Sequence, residues 1–206
     1  MPIIRIMLDM TRRLLQLYAG LILYGASLAL QIRAGLGLDP WDVFHQGLSE
    51  KTGLSFGTIV IIIGALVLLA WIPLRQKPGI GTVSNVFVVG IAVDATLALL
   101  PEVHALELQL PLLAAGIFLN GVAGAAYVGA GLGPGPRDGL MTGLVRITGR
   151  SVGVVRTSIE VGVLAVGIVL GGTIGLGTVL YAVSIGPLLQ VLLPAFTIRE
   201  PVPATA

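Results

Sequence analysis

The sequence predicts an all-α membrane protein: six transmembrane helices in two inverted three-helix repeats, each with an extra short interfacial or re-entrant helix. Three observations carry this expectation. Of 206 residues, 55% are hydrophobic and only 11% charged, with a mean hydropathy of +0.99, whereas soluble domains carry about 25% charged residues. Apolar runs long enough to cross a hydrocarbon core recur along the chain, at roughly 20 residues each. The second half of the chain also repeats the first in register. A single membrane domain over residues 1–206 is expected, with internal repeats at 14–100 and 110–196.

Six stretches qualify as spans: Leu14–Ile32, Leu54–Leu74, Gly81–Leu100, Leu110–Val128, Val152–Leu170 and Gly177–Phe196. Arg12 and Arg13 before the first run would suit a secretory signal, but the same stretch recurs mid-chain, where no signal acts. The first run is therefore read as a permanent span. Glycine stands at 29 residues, about twice the usual ~7% share, which suits close helix–helix approach in lipid.

Orientation follows from lysine and arginine. With the N-terminus inside, one side holds Arg5, Arg12, Arg13, Arg75, Lys77, Arg137, Arg146, Arg150 and Arg199. The other holds only Arg33 and Lys51, with Asp39, Asp42, Glu50, Glu102 and Glu107. Both termini are expected in the cytoplasm. The formal charge of +2 and these positions beside apolar runs point to the lipid bilayer, and no nucleic-acid partner is expected.

The repeat appears on a shift of 96 residues without a gap, giving 30 identities in 87 pairs. AGLGLDPWD (Ala34–Asp42) lies over AGLGPGPRD (Ala130–Asp138), TGLSFG (Thr52–Gly57) over TGRSVG (Thr148–Gly153), and GIGTV (Gly79–Val83) over GLGTV (Gly175–Val179). Three spans per copy is an odd number, so the second copy inserts upside down. Inverted repeats of this kind are a transporter architecture.

The glycine loops carry the site expectation. Asp39 reads as a helix N-cap, Pro40 as the first helical position and Asp42 as a first-turn carboxylate. The helix they open, residues 40–51, and its counterpart at 136–148 with Asp138, are too short to span. Re-entrant half-helices would turn free N–H groups and positive dipole ends toward a solute. Thr82 and Thr178 open two further helices, and four converging starts would suit an anionic or zwitterionic small molecule. The alternative is that Asp42 and Asp138 only cap their own helices.

Ionisable groups within spans are functional candidates. Asp94 lies in the third span, as a titrating site or as a partly hydrated structural carboxylate near its outer end. Arg156 and Glu160 stand one turn apart in the fifth, as a solute or proton site or as a plain intrahelical pair. The candidate binding set is therefore Asp42, Asp138, Asp94, Arg156, Glu160, Thr82, Thr178 and Asn85. Asn85, Asn120, Tyr127, Ser158 and Tyr181 are expected to bond neighbouring helices. His45 and His104 have no ligand spacing around them, so no metal is expected, and Trp41 and Trp71 read as interfacial anchors. Gly167, Gly171 and Gly175 suit internal packing, although a homodimer is compatible with the pattern.

No HExxH, GxSxG, phosphate loop or dinucleotide fingerprint occurs, and cysteine is absent, so neither an enzyme nor a cofactor is expected. In AGLGLDPWDVFHQGLSEKTGLSFG, GIGTVSN and AGLGPGPRDGLMTGL the chain resembles the YczE branch of the bacterial YczE/YyaS/YitT membrane-protein family, over roughly residues 12 to 197. The resemblance implies a multi-pass protein of the bacterial inner (plasma) membrane and brings no agreed substrate or catalytic residue. The expected function is a small secondary transporter working by alternating access. The alternatives are a substrate-capture subunit needing an energy-coupling partner, or a membrane scaffold or regulator; short loops leave the last little surface to offer.

Overall fold

The computed structural model describes residues 2–198, which fold into eight helices with no strand among them. These are α1 (Pro2–Ala34), α2 (Pro40–Thr52), α3 (Phe56–Trp71), α4 (Ile80–Leu99), α5 (Leu106–Gly129), α6 (Pro136–Thr148), α7 (Val152–Leu170) and α8 (Leu176–Phe196). Arg199 of the charge count lies outside the described residues. Five helices (α1, α4, α5, α7 and α8) are long and apolar enough to cross a membrane. The expected second span, Leu54–Leu74, is shorter than read. Helix α3 has only 16 residues and qualifies as a span only jointly with α2, from which it bends by 115°.

The short helices begin and end on the signals read from the loops. Asp39 caps α2, its carboxylate accepting from the Trp41 and Asp42 amides, and Gly53 ends the helix in the left-handed region at φ 73°. Helix α6 opens on Gly135 and Pro136 and ends on Gly149 at φ 64°. Only glycine adopts these terminal conformations without a Cβ penalty. Ser55 and Ser151 cap α3 and α7 by accepting from the Thr58 and Val154 amides.

Helices α1 and α5 form the centre and run antiparallel. Gln16 donates to the Ala126 carbonyl at 2.9 Å, and Asn120 donates to Ser27 at 2.9 Å, so α5 numbering falls as α1 numbering rises. Helix α4 runs parallel to α1, from the Tyr18–Ser84 hydroxyl pair to the Arg33 bond on the Leu97 carbonyl. Helix α8 likewise runs parallel to α5, from Tyr181 on Asn120 to Phe196 against Gly129. Leu17, Leu21, Leu28 and Val93, with Val43 of α2, belong to the main hydrophobic core.

The short helices cross over. Helix α2 packs its Gly47 edge on α7 at Gly167 and Leu170, and α6 packs Gly139 against the Trp71 ring at the end of α3. Helix α2 is buried rather than laid on a surface, with Trp41, Asp42, Val43, His45 and Gly47 all enclosed. It also leaves and returns at one end of the bundle. Arg33, just before its loop, reaches Leu97, and Gly57, just after it, reaches Asp94, both near the C-terminal end of α4.

Candidate functional site

The site forms where the N-termini of α2 and α6 meet. Asp39 and Asp42 are 3% and 2% exposed, and a buried carboxylate is costly without a partner. The partner is Arg137, in the first turn of α6. Its Nη2 lies 3.3 Å from Asp42 Oδ1 and its Nη1 3.6 Å from Asp39 Oδ1, while the guanidinium stands 5.0 Å over the Trp41 ring. His45 Nδ1 also reaches Asp42 Oδ1, at 3.0 Å. The second oxygen of Asp39, Oδ2, is buried and has no hydrogen-bond partner.

Beside this cluster lies a cavity of about 360 Å³, walled by both short helices and by α1, α3, α4, α5, α7 and α8. Its polar wall is organised as a chain of hydrogen bonds. Tyr181 donates to Asn120 at 3.0 Å, Asn120 to Ser27 at 2.9 Å, and Ser27 to the Tyr24 carbonyl at 2.7 Å. Tyr24 and Tyr127 meet edge to face with centroids 5.9 Å apart, and the Tyr127 hydroxyl points to Asp138 at 3.4 Å. Arg156 and Glu160 pair at 2.9 Å on the α7 wall. Apolar walls with a few directed polar groups are the usual form of a small-molecule site, typically about 300–1,000 Å³.

Of the candidate binding set read from sequence, Asn85, Asp138, Arg156 and Glu160 line this cavity, with Asp42 directly behind Arg137. The others stand apart from it. Asp94 holds the start of α3, accepting from Ser55 Oγ at 2.5 Å and from the Gly57 amide at 2.7 Å. Thr82 is spent on loop closure, accepting from the Gly79 amide and donating to the Pro134 carbonyl. Thr178 accepts from the Gly175 amide in the same way. The four helix starts therefore pair as α2 with α8 and α6 with α4, through the Gly177–Leu36 and Gly81–Leu132 backbone bonds.

Three further readings need correction. Trp71 is no interfacial anchor: it is 2% exposed, and its Nε1 donates to the Pro136 carbonyl. Trp41 and His45 are likewise buried in the α2 cluster. Arg137 counted toward one side of the membrane and Asp39 and Asp42 toward the other, yet they touch. The charge count treats any basic residue in a connecting segment as surface, and a loop that folds back inward breaks that assumption. The available signal was the exchange Trp41 for Arg137 between repeats that otherwise keep Gly, Pro and Asp; a lone basic residue there has no counterpart to explain it.

Residues 11–194 match the model of a family of unknown function, DUF6198. A Haemophilus influenzae protein described only as uncharacterized is 39% identical over 173 residues, covering 84% of this chain and 79% of that protein. The Bacillus subtilis uncharacterized membrane protein YczE is 38% identical over 180 residues, covering 86% of this chain and 83% of its own. The B. subtilis protein YyaS is 29% identical over 179 residues, covering 85% and 89%. No solved structure matches the chain. On a family match over nearly all its length, and on relatives this similar over most of theirs, the chain belongs to the DUF6198 family of membrane proteins, whose function is unknown.

Proposed function

We propose that this protein is a small secondary transporter, whose two inverted repeats alternate in opening the cavity to one side of the membrane and then the other. The observation that carries this reading is a difference between equivalent helix pairs. Between α3 and α4, Gly57 and Gly90 approach so closely that a Cβ on either would strike the other's carbonyl, and Asp94 ties the Ser55 hydroxyl and Gly57 amide. The positions 96 residues further on are Gly153, Gly186, Ser151 and Gln190. There, Gly153 and Gly186 have nothing within 4 Å, and Gln190 is exposed.

One pair is closed and its counterpart parted, with the same glycines available to close it. A repeat protein with two interchangeable packings has two states of similar energy, one open to each side. The antiparallel course of α1 and α5, with α4 parallel to α1 and α8 to α5, supports the inverted arrangement. So do the crossed contacts of α2 on α7 and α6 on α3. The buried meeting of Asp42 and Arg137 supports α2 and α6 as re-entrant half-helices entering from opposite sides.

The test is electrical and works with the solute still unidentified. Proteoliposomes on a solid-supported membrane are challenged with panels of small amines, amino acids and carboxylic acids. A transient current that saturates with concentration, and is lost in Arg137→Gln, is expected for at least one panel. Binding in detergent with no flux from any panel would turn the reading toward a capture subunit.

A further inference from the structure

The charges around the cavity do not balance. Asp39, Asp138 and Glu160 line it and Asp42 stands just behind, against two guanidiniums, Arg137 and Arg156. Both guanidiniums are already engaged. Arg137 is shared between Asp39 and Asp42 and lies over the Trp41 ring, and Arg156 is paired with Glu160. Neither guanidinium among the cavity's described residues stands without a carboxylate partner. Acceptors are left over: Asp39 Oδ2 is buried without a partner, and Asp138 receives only the long bond from Tyr127.

The walls point the same way. Aromatic residues make up 5% of the chain, yet three of its four tyrosines, Tyr24, Tyr127 and Tyr181, line this one cavity. Aromatic faces attract cations through the ring quadrupole, most strongly where water is excluded. A buried acceptor with no donor costs free energy until a ligand supplies one.

We propose that the cavity binds the ammonium group of a small organic amine, with Asp39 Oδ2 as its acceptor, Asp138 as a second carboxylate, and the tyrosine rings as its walls. This deepens the solute-binding reading above and rests on it. It replaces the anionic class expected from helix dipoles and keeps the zwitterionic one: the half-helix start at α2 is already neutralised by its own Asp39 cap. Asp39 Oδ1 takes the α2 amides, which leaves Oδ2 as the oxygen without a hydrogen bond.

The test is thermal unfolding of the purified full chain in detergent, with putrescine and phenethylamine set against succinate and phenylacetate at matched ionic strength in sodium chloride. At least one amine is expected to raise the midpoint by mass action, and neither acid should. Asp39→Asn keeps a good N-cap and should weaken amine binding at least about tenfold, the loss of one charge-assisted hydrogen bond. Asp138→Asn should weaken it as well, and carries the test alone if Asp39→Asn does not fold. Stabilisation by the acids, an equal shift from sodium chloride alone, unchanged amine affinity in the variants, or no shift with either amine each overturns the proposal. Flux is not part of this readout. An amine that binds through Asp39 but is never moved would keep the site and remove the transport reading.

Discussion

Arg137 Nη2 donates to Asp42 Oδ1 at 3.3 Å across 95 residues of chain, joining the first turns of two short helices that the charge count had set on opposite sides. The Asp42 side chain is 2% exposed and that of Arg137 31%. Removing one member of a buried pair leaves a charge with neither water nor partner. Arg137→Gln is therefore expected to cost about 2–3 kcal/mol, below the ~3–5 of a fully enclosed pair because part of the guanidinium meets solvent. Adding Asp42→Asn should recover part of that loss. Unfolding midpoints of the single and double variants check this, and a single variant as stable as the parent would show that the pair does not form.

The glycine contrast gives a second expectation. Alanine at Gly57 would drive a Cβ into the Gly90 carbonyl, and neither backbone can yield without separating α3 from α4. Overpacking of this kind costs about 1–3 kcal/mol. Alanine at Gly153 or Gly186 meets open space and should leave the unfolding midpoint within the range of neutral surface changes, about ±0.5 kcal/mol. The same two substitutions should depress any measured flux, because they block the packing that the other state requires. Equal destabilisation at Gly57 and Gly153 would remove the asymmetry on which the transport reading rests.

Because the chain has no cysteine, pairs can be introduced directly. Ser55→Cys with Asp94→Cys replaces a contact of 2.5 Å and should cross-link readily with a short bifunctional thiol reagent. Ser151→Cys with Gln190→Cys stands where the helices are parted, and should cross-link only in molecules that visit the other state. Trapping that pair should then suppress cross-linking of the first when all four cysteines are present. If the second pair never reacts while the first does, the protein holds one state and alternating access fails.

Helix existence was legible because apolar length and caps act locally: Asp39, Pro40 and Gly53 mark α2 whatever surrounds it. Which of the marked carboxylates reach the cavity was not legible. Asp42 and Asp138 occupy equivalent positions, yet one is buried against Arg137 and the other rims the cavity beside Tyr127. That difference is set by what the other short helix places there, Arg137 against Trp41, a relation no local pattern contains. Asp94 shows the same limit. A carboxylate within an apolar run looks like a solute ligand until a neighbouring helix start, here Ser55 and Gly57, is seen to need capping.

The path of the chain through the membrane gives the last expectation. Helix α3 has 16 residues, about 24 Å at 1.5 Å per residue, against a hydrocarbon core of about 30 Å. It crosses only if the turn after Trp71 and the start at Ser55 extend it, which the hydrogen bonding of that turn suits: the Gln76 amide bonds the Trp71 carbonyl, and Arg146 of α6 bonds that of Leu74. Single cysteines at Lys51, Lys77, His104 and Arg150 separate the outcomes, since all four positions are exposed. Lys51 and His104 should react with an impermeant maleimide in intact cells, because a re-entrant α2 returns to the side from which α1 leaves it. Lys77 and Arg150 should react only after permeabilisation. Labelling of Lys51 and Lys77 from the same side would mean that α3 does not cross, and an odd number of crossings per repeat, on which inversion depends, would be lost.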